Sequence, residues 1–275
     1  MNGEQMSEGQ LNDAYVKASQ TRPSIARAYH FLLGEHEYYS VDQTFGQYFL
    51  QVLPGSERIA TTNRRALERA VRDMAGAGIR QFIDFGCGLP TSENNVHEIA
   101  RRVQPTAGVV YLDNDPIVVA HADARLVTDE RIAVMNADVR QPRLIGDSAE
   151  VERLINFDEP VGLIFGNVLA FVNDEENPTA IVQYWVERLA SGSLVYISHF
   201  LSADNPQTSA AEEKLQGAFS RGRWRGDKEI LRMLSGLEVL EPGLVPCVLW
   251  RNDEKSAAET TPWEQLIASV LARKP

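Results

Sequence analysis

From residue 80 onward the chain alternates between two hydrophobic periods, and few architectures can accommodate that alternation. Short apolar, β-rich runs at 81–85, 109–112, 132–136, 161–165 and 194–198 are separated by segments with helical spacing at about 92–103, 117–126, 143–155 and 178–189. Strands that alternate with helices imply a parallel sheet covered on both faces. Near the end, LEVLEPGLVPCVLW reads as two strands joined at Pro242-Gly243, a strong turn dipeptide. The expected fold class is α/β, with a mostly parallel sheet of about seven strands closing in an antiparallel hairpin.

Before residue 80 the pattern is helical. Ile25, Ala28, Tyr29, Leu32 and Leu33 form one stripe that breaks at Gly34. Ala66, Leu67, Ala70, Val71 and Met74 form another, for which Thr62 or Asn63 is the expected cap. Four regions follow: a polar arm at 1–22, a helical lid at 23–78, the alternating unit at 79–251 and a helical tail at 252–275. Within the third, 202–226 has the length and polarity of a substrate-facing insertion. At 44% hydrophobic and 24% charged residues, the chain is expected to bury a full core. No apolar run approaches the ~18 residues of a membrane span and the N-terminus lacks a signal-peptide pattern, so no membrane contact and a cytoplasmic location are expected. Cys87 and Cys247 are too few for a disulfide framework or a cysteine-based metal site, and no metal is expected.

In an open parallel sheet, ligands bind beyond the carboxyl ends of the strands, so the loops there carry the function. After the first strand comes Asp84-Phe85-Gly86-Cys87-Gly88-Leu89-Pro90-Thr91, where Gly86 and Gly88 let the backbone approach a ligand. Asp84 occupies a position that is apolar in the dinucleotide fingerprint, and Thr91 stands where that fingerprint has its third glycine. After the second strand, Asp113 and Asn114 can meet ribose hydroxyls, which indicates a nucleoside without selecting NAD or S-adenosylmethionine. After the third, Asp138 can accept from an adenine amine, with Val139 against the ring. After the fourth, Asn167 places an amide near the expected reaction centre.

Charge narrows the choice. Residues 81–98, 103–124 and 154–187 contain no Lys or Arg, although the chain has 27 of them. A phosphate-bearing ligand would ordinarily meet one. A rim of acids suits an ammonium and a sulfonium, which favours S-adenosylmethionine. The formal net charge of -11 argues against a nucleic-acid partner.

The segments 84–91, Val110-Tyr111-Leu112-Asp113-Asn114-Asp115-Pro116 and Glu241-Pro242-Gly243-Leu244-Val245-Pro246, with the stretch 29–34 and Asn63-Arg64, resemble a bacterial S-adenosyl methyltransferase family long known only as a domain of unknown function. The likeness runs from about Pro23 to Arg251. It implies a Rossmann-like class I methyltransferase fold, with Gly86 and Gly88 at the methionine end, Asp113 at the ribose and Asp138 at the adenine. The chain departs from the family pattern at His30, where an acid is usual, and at Gly34-Glu35, where paired glycines are usual. Both lie in the lid.

The expected activity is S-adenosylmethionine-dependent methylation of a small-molecule acceptor, an O- or N-methylation of a secondary metabolite that releases S-adenosylhomocysteine. Tyr29 and His30 are the candidate acceptor contacts. If a general base operates, His199 after the fifth strand is the first candidate and His30 the second. An NAD-dependent oxidoreductase and a non-catalytic nucleoside-binding regulator are the alternatives. The choice between monomer and homodimer stays open.

Overall fold

Residues 81–85 are buried throughout, and their side chains alternate between two separate cores. Ile83 and Phe85 join one cluster and Phe82 the other, as the period of two in a strand covered on both faces requires. The computed structural model describes residues 20–202, 206–252 and 260–275; the arm expected at 1–22 lies largely outside them. Its helices and strands, in chain order, begin with α1 Ile25–Leu32, α2 Ser40–Val52, α3 Ser56–Gly76 and β1 Gln81–Phe85. Next come α4 Val96–Arg101, β2 Gly108–Asp113, α5 Pro116–Leu126, β3 Ile132–Asn136, α6 Pro142–Gly146, α7 Ala149–Leu154 and β4 Gly162–Gly166. The remainder are α8 Pro178–Arg188, β5 Leu194–Phe200, α9 Pro206–Phe219, α10 Asp227–Met233, β6 Glu238–Val239, β7 Val245–Pro246 and β8 Ile267–Arg273.

The sheet order is β3-β2-β1-β4-β5-β8-β6, with β7 also paired to β8. β1 to β5 run parallel and β8 is antiparallel to β5. The mostly parallel α/β sheet is therefore as expected, but its antiparallel end is built differently. β6 and β7 do not form a hairpin with each other; each pairs with β8. The tail expected to be helical instead supplies that strand. Its first six residues are buried between β5 and the short β6 and β7, and this tertiary pairing overrides the helix propensity of Ala268, Leu271 and Ala272.

Two helix expectations also change. α3 starts at Ser56, so Thr62 and Asn63 lie inside it and not at its cap. Thr62 Oγ1 donates back to the Arg58 carbonyl at 2.6 Å, and Asn63 reaches sideways to Tyr29. The helix expected at 143–155 is split at Asp147-Ser148, where the Ser148 hydroxyl accepts from the Val151 N–H and caps the second piece. α1, α2 and α9 share a third apolar cluster with Trp224, with Phe200 at the end of β5 and with Ile267 at the start of β8. No described helix is long and apolar enough to cross a membrane.

Candidate active site

Because β1 lies between β2 and β4, the connections from β1 and β4 depart in opposite directions along the sheet and leave a crevice beyond their carboxyl ends. A cavity of about 610 Å³ fills it, with the loops after β1, β2 and β4 below and α1 and α3 above. The first loop is held by the Gly86 and Cys87 N–H groups, which donate to the Leu112 carbonyl at 2.8 and 3.0 Å, and by Gly88 N–H, which donates to Asp113 Oδ2 at 3.0 Å. Gly86 has φ +67°, and a Cβ there would lie 2.5 Å from a Val168 methyl. Gly88 has φ +66° with no atom within 4 Å of where a Cβ would stand. A side chain at Gly88 would therefore occupy space that the bare backbone leaves to a ligand.

Two acids line this crevice. Asp84 and Asp113 are 4% and 8% exposed. Burial pushes Asp84 up to about 7; Arg64 pulls against that shift and Asp113 adds to it. Burial also raises Asp113 to about 6, partly offset by the N–H groups of Asp115 and Gly88. A cation placed between them would favour the charged form of both.

The lid changes the electrostatic reading. Strand-tip segments free of Lys and Arg suggest a rim without cations, yet Arg22, Arg27 and Arg64 line the finished cavity. α1 supplies Arg27, α3 supplies Arg64 and the segment before α1 supplies Arg22, and no reading of strand tips could reveal this. Arg27 is buried, with Nε donating to Asp42 at 2.7 Å and Nη1 3.4 Å from Asp115. Ser24 Oγ also donates to Asp115, at 2.7 Å, so α1 is tied to the start of α5. Arg64 Nη2 donates to Thr91 Oγ1 and the Asn94 carbonyl, both at 2.8 Å, and its buried Nε makes no hydrogen bond. The Asn63-Arg64 pair in the family resemblance was the available signal for it.

Beside the crevice lies a second cavity of about 70 Å³, walled by Phe45, Phe49, Phe171, Phe200 and Trp224. Ile25, Tyr29, Asn167 and Phe219 line both cavities and so mark where they meet. Tyr29 Oη donates to the Ala60 carbonyl at 2.9 Å and accepts from Asn63 Nδ2 at 3.1 Å. Burial pushes this phenol up to about 12. Four buried polar atoms on these walls have no hydrogen-bond partner: Asn63 Oδ1, Asn167 Oδ1, Ser56 Oγ and Trp224 Nε1. Such groups are uncommon in folded proteins, and each costs about 1–3 kcal/mol unless something meets it.

Three expected residues lie elsewhere. His199 is fully buried and lines neither cavity; Nδ1 is 2.8 Å from the Phe200 carbonyl and Nε2 is 3.0 Å from Arg225 Nη1. With one nitrogen donating and the other accepting, and burial lowering its pKa to about 4, it is a satisfied core histidine and not a base. His30 also lines neither cavity and turns toward Glu37, with Nδ1 3.3 Å from Oε2. The Asp138 carboxylate is held by Arg140, which also bonds Glu176, and only its neighbours Ala137 and Val139 line the crevice. The expected insertion does reach the second cavity, through Leu215, Phe219 and Trp224, while 203–205 lie outside the described residues.

The site fits S-adenosylmethionine on its own terms. It offers open space at Gly88, two buried acids for positive and hydroxyl groups, and orphan amide oxygens that call for donors. The sequence profile of the S-adenosyl methyltransferase family matches residues 12–275. A candidate methyltransferase from Thermobifida fusca YX is 35% identical, with a TM-score of 0.89 over 92% of this chain and 96% of that one. A DUF574 family protein from Streptomyces avermitilis MA-4680 is 32% identical, with a TM-score of 0.88 over 94% of this chain and 99% of that one. An O-methyltransferase family protein from Burkholderia thailandensis shares the fold at 14% identity and a TM-score of 0.50, over 79% of this chain and 59% of that one. No curated protein matches. A profile that spans nearly the whole chain, agreeing with two near-complete structural relatives, shows that this chain belongs to the S-adenosyl methyltransferase family and is an S-adenosylmethionine-dependent enzyme of the class I, Rossmann-like fold.

Proposed function

We propose that the enzyme methylates an oxygen or nitrogen of a small, mostly apolar molecule, a secondary metabolite seated in the aromatic cavity. The observation that carries this reading is the junction of the two cavities at Tyr29, Asn167 and Phe219. On the cofactor side, Gly86 and Gly88 would take the methionine end, Asp84 its ammonium and Arg64 its carboxylate. Asp113 and Asn114 would hold the ribose, and Ala137 and Val139 would pack on the adenine. When bound, the cofactor supplies a methyl group on a sulfonium.

The chain's own contribution is then alignment, which can account for roughly 7–11 kcal/mol of a barrier. Asn167 Oδ1, buried and unpartnered, accepts from the acceptor's O–H or N–H and turns its lone pair toward the cofactor. Ser56 Oγ and Trp224 Nε1 donate to a distal oxygen of the same molecule. No histidine is among the described residues that line either cavity. That suits an acceptor such as a phenol, which gives up its proton with little assistance. The net charge of -11 and the apolar walls support a small molecule over a nucleic acid.

The test is transfer of labelled methyl from the cofactor to a panel of apolar phenols and amines and to a small-molecule extract. Label is expected in the low-molecular-weight fraction, with Asn167→Ala about tenfold slower, the loss of roughly one hydrogen bond, and cofactor affinity little changed. Label confined to protein or nucleic acid would refute the reading, and no turnover with any fraction would favour a nucleoside-binding regulator.

A further inference from the structure

Apart from both cavities, His30 near the end of α1 meets Glu35 and Glu37 of the connection to α2, with one ligand-type atom from each within 4.8 Å of the others. The acids alone would be an ordinary solvated pair. His30 is different: it is 1% exposed, neither ring nitrogen makes a hydrogen bond, and Nδ1 points at Glu37 Oε2 from 3.3 Å. A buried imidazole that faces two carboxylates and the Pro90 carbonyl without a well-aligned hydrogen bond to any of them is a costly arrangement unless a further group completes it.

We propose that His30, Glu35 and Glu37 form a binding site for one divalent transition ion, with Zn²⁺ the best match to one imidazole nitrogen and two carboxylates. Zn–N and Zn–O bonds of ~2.0–2.1 Å place neighbouring tetrahedral ligands about 3.3 Å apart, the spacing seen between His30 and Glu37. Both glutamates keep an oxygen for the ion. Glu37 uses Oε1 for Arg125 at 3.0 Å and presents Oε2 to His30. Glu35 uses Oε1 for Ser92 N and Oγ at 3.4 and 3.3 Å, which leaves Oε2. Water would fill the remaining position, as in three-ligand zinc sites.

The ion would pin the lid to the loop after β1. Ser92 and the Pro90 carbonyl, which accepts from Arg125 at 3.3 Å, belong to that loop, and Tyr29 precedes His30 on the helix that roofs both cavities. The site is independent of the acceptor's identity.

The experiment uses the full-length, untagged chain, stripped with chelator and titrated with Zn²⁺ by calorimetry and with Co²⁺ by absorption. One ion per chain is expected, with visible Co²⁺ bands of a low-coordinate nitrogen–oxygen site. Glu35→Gln and Glu37→Gln should each weaken binding at least tenfold, and His30→Gln should abolish the bands. S-adenosylhomocysteine binding, retained in each variant, reports that the fold survives. Absence of Zn²⁺ binding by the unaltered chain, or binding that both glutamine variants leave unchanged, would overturn the site.

Discussion

Asp84 is the residue whose surroundings say most about what the crevice is built to hold. Its folded pKa of about 7 lies above the ordinary 3.8, so the proton is held more tightly in the folded, ligand-free protein than in the unfolded chain. The sign follows: the contribution of this group to stability is complete below 3.8 and is lost as pH rises through about 7. A positive ligand reverses the preference, because it favours the carboxylate. Affinity for S-adenosylmethionine should therefore rise with pH, by up to about tenfold per unit below the folded pKa, and level off above it. Calorimetry at several pH values between 5.5 and 8 checks this, and Asp84→Asn should give weaker binding with a flattened profile. Affinity that falls as pH rises would contradict the role. Asp84, Gly86, Gly88 and Asp113 line the crevice, and their place at the strand tips was legible in the sequence because the apolar runs of those strands are unmistakable. Asp138 and His199 misled because the partners that claim them cannot be placed from the sequence. Arg140 stands two residues beyond Asp138 but also reaches Glu176, and Arg225 meets His199 from a distant connection.

At the scale of elements, the five parallel strands were legible and the strand that closes the sheet was not. β8 lacks the β-branched richness of the others, and only Ile267 and Val270 carry that signal. Its seven residues become a strand because β5 offers an unpaired edge of equal length and both faces are roofed by core. Leu271, 1% exposed and opposite Tyr196, measures that dependence. Leu271→Ala should destabilise the protein by about 2–5 kcal/mol in urea denaturation, the usual range for a buried leucine. A change below 0.5 kcal/mol, the usual scale of surface substitutions, would mean that the strand is peripheral. The N-terminal region was legible as helices, but their contacts were only half visible. Arg27, Asp42, Ser24 and Asp115 form a connection that joins three elements, and no local spacing announces it.

For the molecule as a whole, the sheet order explains why one crevice collects the loops after β1, β2 and β4, and the family assignment explains what it is for. S-adenosylhomocysteine at about 100 times its dissociation constant should add ~2.7 kcal/mol to stability, seen as a rise in Tm. NAD should give no shift, as membership of the S-adenosyl methyltransferase family predicts; equal shifts with both would undo the account of the crevice. Residues of α1 line the crevice and also wall the aromatic cavity, so one eight-residue helix is shared by both compartments. Release of Ser24 and Arg27 from Asp115 would therefore loosen the cover of both compartments together.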